Sequence, residues 1–431
     1  ESLAPCEPLA PFHLGAANGL LKGTLRVGAV LVGAVLGAAP PSTLAAQSPL
    51  LPPASNQLPP QASDAWDSIV REWRQSAAEE GIVGASLGLV RHGDLISFAA
   101  HGMADVDANR RVDEETIYHW ASITKTFTAI SIMQLRDRGL LRLDDPIVEY
   151  VPELRGVHNP YGSMEEITIR QLMSHSAGFR GSSWPWAGSE PWHPHEPTEW
   201  SQLVAMIPYT RIHFEPGSRY SYSNPGIIFL GRVIEAVTGD VYEAYVDKNI
   251  FRPLGMERAY FDVTPWHLRE HRSNHYFVRD GRPEAGGLDF NTGITVSNGG
   301  LNAPVPDMAR YLAFLLGTPV GDADHDAVLP RSSLEEMWDP VVPIGESPLG
   351  QGSMGLSFFL HDKRGERVVG HTGTQKAFYS FFYIDPGTAT GVIAAYNTGP
   401  GDETGPDTNA LRVRTSARVI DELFPLLREG R

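Results

Sequence analysis

Apolar positions fall at two different spacings along the chain, and the spacing changes where one kind of element should give way to another. From Trp66 to Glu80, Ile69, Val70 and Trp73 recur at helical intervals. Gly84 to Val90 is a short apolar run that reads as a strand. Arg91-His92-Gly93-Asp94 is its turn, and Leu95 to His101 returns as a second strand. A helix is predicted from Ser122 onward, because Ile123, Phe127, Ile130 and Met133 repeat at helical spacing. Gly139 then stands where a left-handed C-terminal residue is wanted. A second strand-rich block follows late in the chain, with candidate strands Met354 to His361, Glu366 to His371, Phe378 to Ile384 and Thr390 to Asn397. Asp362-Lys363-Arg364-Gly365 and Asp385-Pro386-Gly387 are turns between some of them. Arg412 to Phe424 reads as a closing amphipathic helix that Pro425 ends. Between the two strand-rich blocks the chain is mostly helical and loop-like, without a repeat period.

Neither strand-rich block can bury a sheet by itself. The simple solution is an α+β fold with one antiparallel sheet built from the N- and C-terminal segments. The terminal helices flank that sheet, the mainly helical middle forms a second lobe, and the cleft between lobes is where a site belongs.

Composition narrows the class. With 431 residues, 42% of them hydrophobic and 20% charged, the chain is long enough for one large domain or two ordinary ones. A formal net charge of -16 argues against nucleic acid as a partner, and one cysteine, Cys6, rules out an intramolecular disulfide and a cysteine-rich metal site. Residues 1–46 read as a signal peptide or N-terminal anchor, since Lys22 and Arg26 precede an apolar run from Val27 to Ala39. Residues 47–65 form a Pro-rich linker, and 66–431 form the folded domain. The expected location is therefore periplasmic or extracellular, with peripheral association with a membrane or cell wall left open.

Three stretches carry candidate chemistry. In Ser122-Ile123-Thr124-Lys125, the i, i+3 spacing puts a hydroxyl and an amine on one helical face. A first-turn backbone N–H is free to meet an oxyanion, and a packed lysine can shed its proton and activate the hydroxyl. Tyr222-Ser223-Asn224 offers a phenol as proton shuttle and a carboxamide able to hold a substrate carbonyl or the lysine itself. His371-Thr372-Gly373-Thr374 falls on a predicted strand, where Gly373 would admit a substrate backbone and the N–H after it would complete an oxyanion site. Each stretch alone has a plain structural reading: a helix cap, a turn, a strand histidine.

In this order, on a helix, a loop and a strand, the three motifs resemble those of the β-lactamase-related serine hydrolases. That superfamily includes class C β-lactamases, D-alanyl-D-alanine carboxypeptidases, D-aminopeptidases and family VIII esterases. The resemblance spans roughly Trp66 to Leu427, through Leu143-Asp144-Asp145-Pro146-Ile147, Ile167 to Gly178 and Asn298-Gly299-Gly300-Leu301. It implies Ser122 as the acylated nucleophile, Lys125 as its activator, Tyr222 as general base and acid, Asn224 as polar support and His371 as the strand partner. Thr372, Gly373 and Thr374 would line the substrate. It implies no cofactor and no metal, and a small molecule or peptide as substrate. The third motif often begins with lysine in this superfamily; His371 offers no permanent charge to a substrate carboxylate, which favours small esters or D-amino-acid peptides over β-lactams. Lys376 is an alternative source of that charge.

Rival readings are weaker. His267, His271 and His275 would align on a helix and His267 to His271 fits an inverted zinc motif, with His193 and His195 nearby, but Arg269 and Arg272 would repel a metal ion. Gly84-Ala85-Ser86-Leu87-Gly88 fits a nucleophile-elbow pattern, yet Ser86 lies inside a predicted strand. A catalytically inactive, penicillin-recognising sensor or binding protein of the same fold is the alternative to an enzyme. The aromatic stretch Phe179 to Glu215, with Trp184, Trp186, Trp192, Trp200 and Tyr209, is expected to line or cover the cleft.

Overall fold

A computed structural model of the chain describes residues 56–181, 197–289, 291–318 and 325–429. The expected signal or anchor segment, residues 47–55 of the linker, His193, His195 and the tryptophans at 184, 186 and 192 lie outside the described residues. Helix α1 spans Pro60–Glu79, so residues 60–65 of the expected linker are helical. Pro60 fits there because a first-turn N–H has no intrahelical acceptor to lose.

The two ends of the chain do meet in one antiparallel sheet. Its strands are β1 (Gly84–Arg91), β2 (Asp94–Asp105), β3 (Arg110–Arg111), β4 (Val342–Ser347), β5 (Gly350–Met354), β6 (Phe359–Lys363), β7 (Glu366–Gln375), β8 (Phe378–Asp385) and β9 (Thr390–Tyr396). They run in the order β3-β2-β1-β9-β8-β7-β6-β5-β4, so the first strand pairs with the last. The single strand expected over Met354 to His361 is in fact two. Gly355 to Ser357 turn the chain between β5 and β6, with Ser357 in a left-handed conformation at φ 63°.

Both faces of the sheet are covered, and strand alternation supplies each cover. On β8, Phe381 and Tyr383 join an outer cluster with Trp66, Trp73, Leu423 and Phe424 from the terminal helices. Phe378, Phe382 and Ile384 join an inner cluster with the helical lobe. The outer cover ends in three successive helical pieces, Thr408–Arg418, Val419–Leu423 and Phe424–Glu429. Pro425 does not stop them. The middle piece is π-helical, and its wider turn accommodates a proline that cannot donate an N–H.

Helix α2 (Thr124–Asp137) runs through the helical lobe and is buried on every side from Thr124 to Leu135. Its polar residues are therefore paired inside. Thr128 Oγ1 donates to Ser297 O at 2.6 Å, Gln134 Nε2 donates to Val328 O at 2.7 Å, and Tyr311 Oη donates to Thr126 Oγ1 at 2.7 Å. Phe127 stacks on Tyr311 with ring centroids 4.1 Å apart. Gly139 is left-handed at φ 71°, just past the end of α2 as its spacing predicts.

Several histidines are buried without charge. On the outer face His361 packs against Tyr383 at 5.7 Å, and burial pulls its pKa down to about 4. The unfolded chain would take up that proton near pH 6.5, so stability must fall as pH drops from about 6.5 towards 4. His361→Gln should remove on the order of 2 kcal/mol from the difference in unfolding free energy between pH 7 and pH 5. Urea unfolding of both proteins at the two pH values measures this; equal differences would refute it.

Candidate active site

Ser122 sits in a tight 3-10 turn, Ala121–Ile123, and the α-helix proper starts only at Thr124. The turn is strained: Ala121 holds φ 49°, a left-handed conformation unusual for alanine. Trp120 holds it in place. Its N–H donates to Leu301 O at 2.8 Å, its indole N–H donates to Ala303 O at 2.8 Å, and its carbonyl accepts from Ser380 Oγ at 3.0 Å. This presents Ser122, half-buried, between the sheet and the helical lobe.

Lys125 follows one turn later, fully buried. Its Nζ lies 2.9 Å from Ser122 Oγ, 2.7 Å from Asn298 O and 3.5 Å from Asn298 Oδ1. Burial holds its pKa well below the usual lysine value. A neutral amine suits these neighbours: two N–H groups face the two Asn298 oxygens, and the lone pair faces the serine hydroxyl. The sequence allowed Asn224 to hold the lysine, but Asn298 does so. Asn224 is the first residue of helix α3 (Asn224–Thr238), and its Oδ1 is buried with no hydrogen-bond partner. The helix is capped by Ser223, whose Oγ accepts from Gly226 N–H at 3.2 Å.

Tyr222 lies against this pair, with Lys125 Nζ 5.0 Å from its ring centre. Burial pushes the phenol pKa up, and a hydrogen bond with Ser122 only partly offsets that. The phenol is thus protonated beside a neutral amine, the reverse of an ionised tyrosine beside a cationic lysine. In that state Lys125 is the group able to take a proton, and Tyr222 the group able to give one.

The third motif occupies the end of β7. Strand β6 pairs with β7 only as far as Gly370, so among the described residues His371 to Gln375 have β8 on one side and no strand on the other. Alternation places His371 and Gly373 on the inner face with Val369, and Thr372 and Thr374 on the outer face. Arg412 Nη1, from the outer cover, donates to Gly373 O at 2.9 Å, Ser380 O at 3.3 Å and Thr374 Oγ1 at 3.2 Å. That the Gly373 and Ser380 carbonyls share one donor identifies theirs as a hydrogen-bonded pair. The main-chain groups of Thr372 and Thr374 therefore face the open edge. His371 Nδ1–H donates to Thr372 O at 2.7 Å there, and its buried Nε2 has no partner. Burial, with Lys125 and Arg412 nearby, lowers its pKa to about 3, so it is uncharged at neutral pH.

The other expectations resolve simply. Ser86 is buried in β1 with its Oγ 2.9 Å from Tyr118 Oη. His267 lies on a three-residue 3-10 turn, Trp266–Leu268, while His275 adjoins the strand Tyr276–Arg279; the three histidines share no helix. Lys376 is exposed on the β7–β8 turn at φ 54°. Trp200 packs into the helical lobe, edge-on to Phe229 at 6.4 Å, and Tyr209 is 72% exposed. Reading the sequence for roles misses Asn298, Arg412 and His175. Asn298 and His175 lie in segments that carried the family resemblance, whereas Arg412 had only its place on an amphipathic helix to mark it.

A serine beside a buried amine, facing an open strand edge on an antiparallel sheet, defines the class. Residues 68–417 match the family model for Beta-lactamase, and the chain belongs to that family. It is 27% identical to protein flp of Staphylococcus aureus (strain MW2) over 316 residues, which cover 73% of this chain and 60% of flp. It is also 27% identical to esterase EstB of Burkholderia gladioli over 376 residues, covering 80% of this chain and 93% of EstB. A solved structure, the octameric penicillin-binding protein homologue from Pyrococcus abyssi, superposes with a TM-score of 0.69 at 26% identity. That match covers 85% of this chain and 80% of the other.

Gly373 is the position where side-chain size decides whether the site can form. A Cβ there would collide with the Trp120 carbonyl oxygen and Ser380 Oγ, both part of the seat of the Ser122 turn. Gly373→Ala should therefore displace the turn from the edge, and a shift of about 1 Å is enough to lower kcat/KM by about 10²-fold. Ester-hydrolysis kinetics on the folded variant would reveal it, and wild-type rates would show that the turn and strand need not touch.

Proposed function

We propose that the protein is a serine hydrolase that cleaves small esters or D-amino-acid amides through an acyl-enzyme on Ser122. The observation that carries this reading is the Lys125 amine, desolvated and 2.9 Å from Ser122 Oγ. Lys125 takes the hydroxyl proton as Oγ attacks the substrate carbonyl carbon. The oxyanion lies between the N–H of Ser122 and that of Thr374, on the open edge of β7. As the tetrahedral intermediate collapses, the bond to the leaving group breaks. Tyr222 gives that group its proton and is reprotonated from Lys125. Water then attacks the acyl-enzyme by the reverse route, and Ser122 recovers its proton.

The neutral His371 supports the choice of substrate. A β-lactam or a peptide C-terminus brings a carboxylate, and this strand position offers it an imidazole without charge. Arg412 lies close by, but its Nη1 is engaged by the strand itself. The likeness to an enzyme named an esterase points the same way.

Ser122→Ala should abolish covalent labelling by a fluorophosphonate while the fold survives, since a helix-start serine contributes only ~1 kcal/mol. Mass mapping of the adduct to any other residue would refute the nucleophile. On the wild-type enzyme, an aryl ester should be turned over faster than a chromogenic cephalosporin at pH 6 and pH 8 alike; the opposite order would overturn the substrate reading. An intact fold that neither labels nor hydrolyses would instead mark an inactive binding protein.

Tyr222→Phe should lower kcat for alkyl esters by about 10²–10⁴-fold with KM little changed. The activity of the parent enzyme should fall at low pH as Lys125 becomes protonated and can no longer accept the serine proton. A rate that is flat down to the acid-unfolding range would remove Lys125 from the base role.

A further inference from the structure

His175 is a buried residue to which no part of the proposed reaction assigns a role, and four of its contacts go to one short segment. It follows the helix Ile169–Met173 and is held in a left-handed conformation, φ 54°, at 1% exposure. Its carbonyl accepts from Ser221 N–H at 2.8 Å, and its Nδ1 accepts from Ser223 N–H at 3.1 Å. Between those two bonds its ring lies against Tyr222, centroids 4.5 Å apart and planes 29° off parallel. It meets Tyr220 edge-on at 6.1 Å. Alternate backbone N–H groups and alternate rings of residues 220–223 are thus all set by one side chain and its own peptide.

The contacts also determine the proton on the ring. Nδ1 is an acceptor from a backbone N–H, so the neutral ring carries its hydrogen on Nε2. An imidazolium would point a second N–H at Ser223 and lose that bond. Burial, then the nearby Lys125 and His371, disfavour the charged ring in the same direction. A left-handed backbone at a non-glycine residue is strained and persists only where its surroundings impose it.

We propose that His175 is the positioning residue for the Tyr222 phenol, aligning it for proton donation to the leaving group by templating the Tyr220–Ser223 segment. This rests on the role of Tyr222 given above, and leaving-group dependence is the property that separates alignment of an acid from general support of the fold. A p-nitrophenolate departs with little need of a proton, whereas an alkoxide or amine departs poorly without one.

The test compares His175→Phe, which keeps a ring against Tyr222 but no acceptor, and His175→Asn, which suits the left-handed backbone but has no ring. Both should label at Ser122 with a fluorophosphonate. With an ethyl ester or an anilide, kcat/KM, which reports acylation and not the shared deacylation step, should fall about 10–100-fold. With the p-nitrophenyl ester of the same acid the loss should be under about threefold. Adding either change to Tyr222→Phe should cause no further loss, since the two act through one group. Equal losses for both leaving groups, or no loss in a folded and labelled variant, would overturn the proposal. If Tyr222→Phe itself shows no leaving-group dependence, it is the reading of Tyr222 that fails. Should one variant not fold, the other reads the same comparison.

Discussion

A lysine amine inside a protein is tolerable only if it gives up its charge or finds a counter-charge, and Lys125 is surrounded by neutral oxygens. That constraint organises what lies around it. The amine needs acceptors for its N–H groups, and the short helix Val296–Gly299 brings Asn298 against α2 to provide them. It needs to be dry, and α2 is buried on every side, its other polar residues bonded to neighbouring backbone and hydroxyl groups. With those conditions met, the lone pair faces one hydroxyl, that of Ser122. In the proposed mechanism, the reactivity of the serine is a consequence of where the lysine is stored.

The sheet contributes the other half of the site by ending early. Pairing between β6 and β7 stops at Gly370, which leaves Thr372 and Thr374, among the described residues, without a strand partner at the point where the Ser122 turn docks; the Thr372 carbonyl accepts from His371 instead. A free strand edge is usually a hazard, because it will pair with whatever chain it meets. Here the Ser122 turn packs against its inner face and Arg412 braces its outer face through the Gly373 and Ser380 carbonyls. What remains open is short, and it is the edge that the proposed mechanism gives to the substrate. The same alternation that puts His371 and Gly373 inside sends Thr372 and Thr374 to the other face, so towards the Ser122 side those threonines present backbone, not side chains.

Uncharged histidines recur around this centre. His175 and His371 both lie near Lys125, both are buried, and each has one ring nitrogen committed to the backbone, in opposite senses: one accepts from an N–H, the other donates to a carbonyl. Each therefore has a defined tautomer without needing a carboxylate. Neutral at both positions, the rings add no cation beside the phenol and the amine, and a fixed charge that does reach Tyr222 is that of Arg412, from the outer face.

Much of this was legible before any coordinates. Periodicity alone located α1, the β1–β2 hairpin, α2 and most of the late strands, and because neither strand-rich block could bury a sheet by itself, one shared sheet was the simple solution. The spacing of Ser122 and Lys125, and the order of the three motifs, named the residues that do converge. What pattern could not reach was anything that depends on a neighbour distant in sequence. Asn298 holding Lys125, Arg412 bracing Gly373 and His175 facing Tyr222 are pairings across 173, 39 and 47 positions. The split at Gly355 to Ser357 and the helix running through Pro425 arise because tertiary packing overrides local punctuation. Protonation followed the same divide. The sequence determined which groups can titrate, but whether Lys125 is an amine and Tyr222 a phenol depends on how much water the fold removes, and only the assembled lobes decide that.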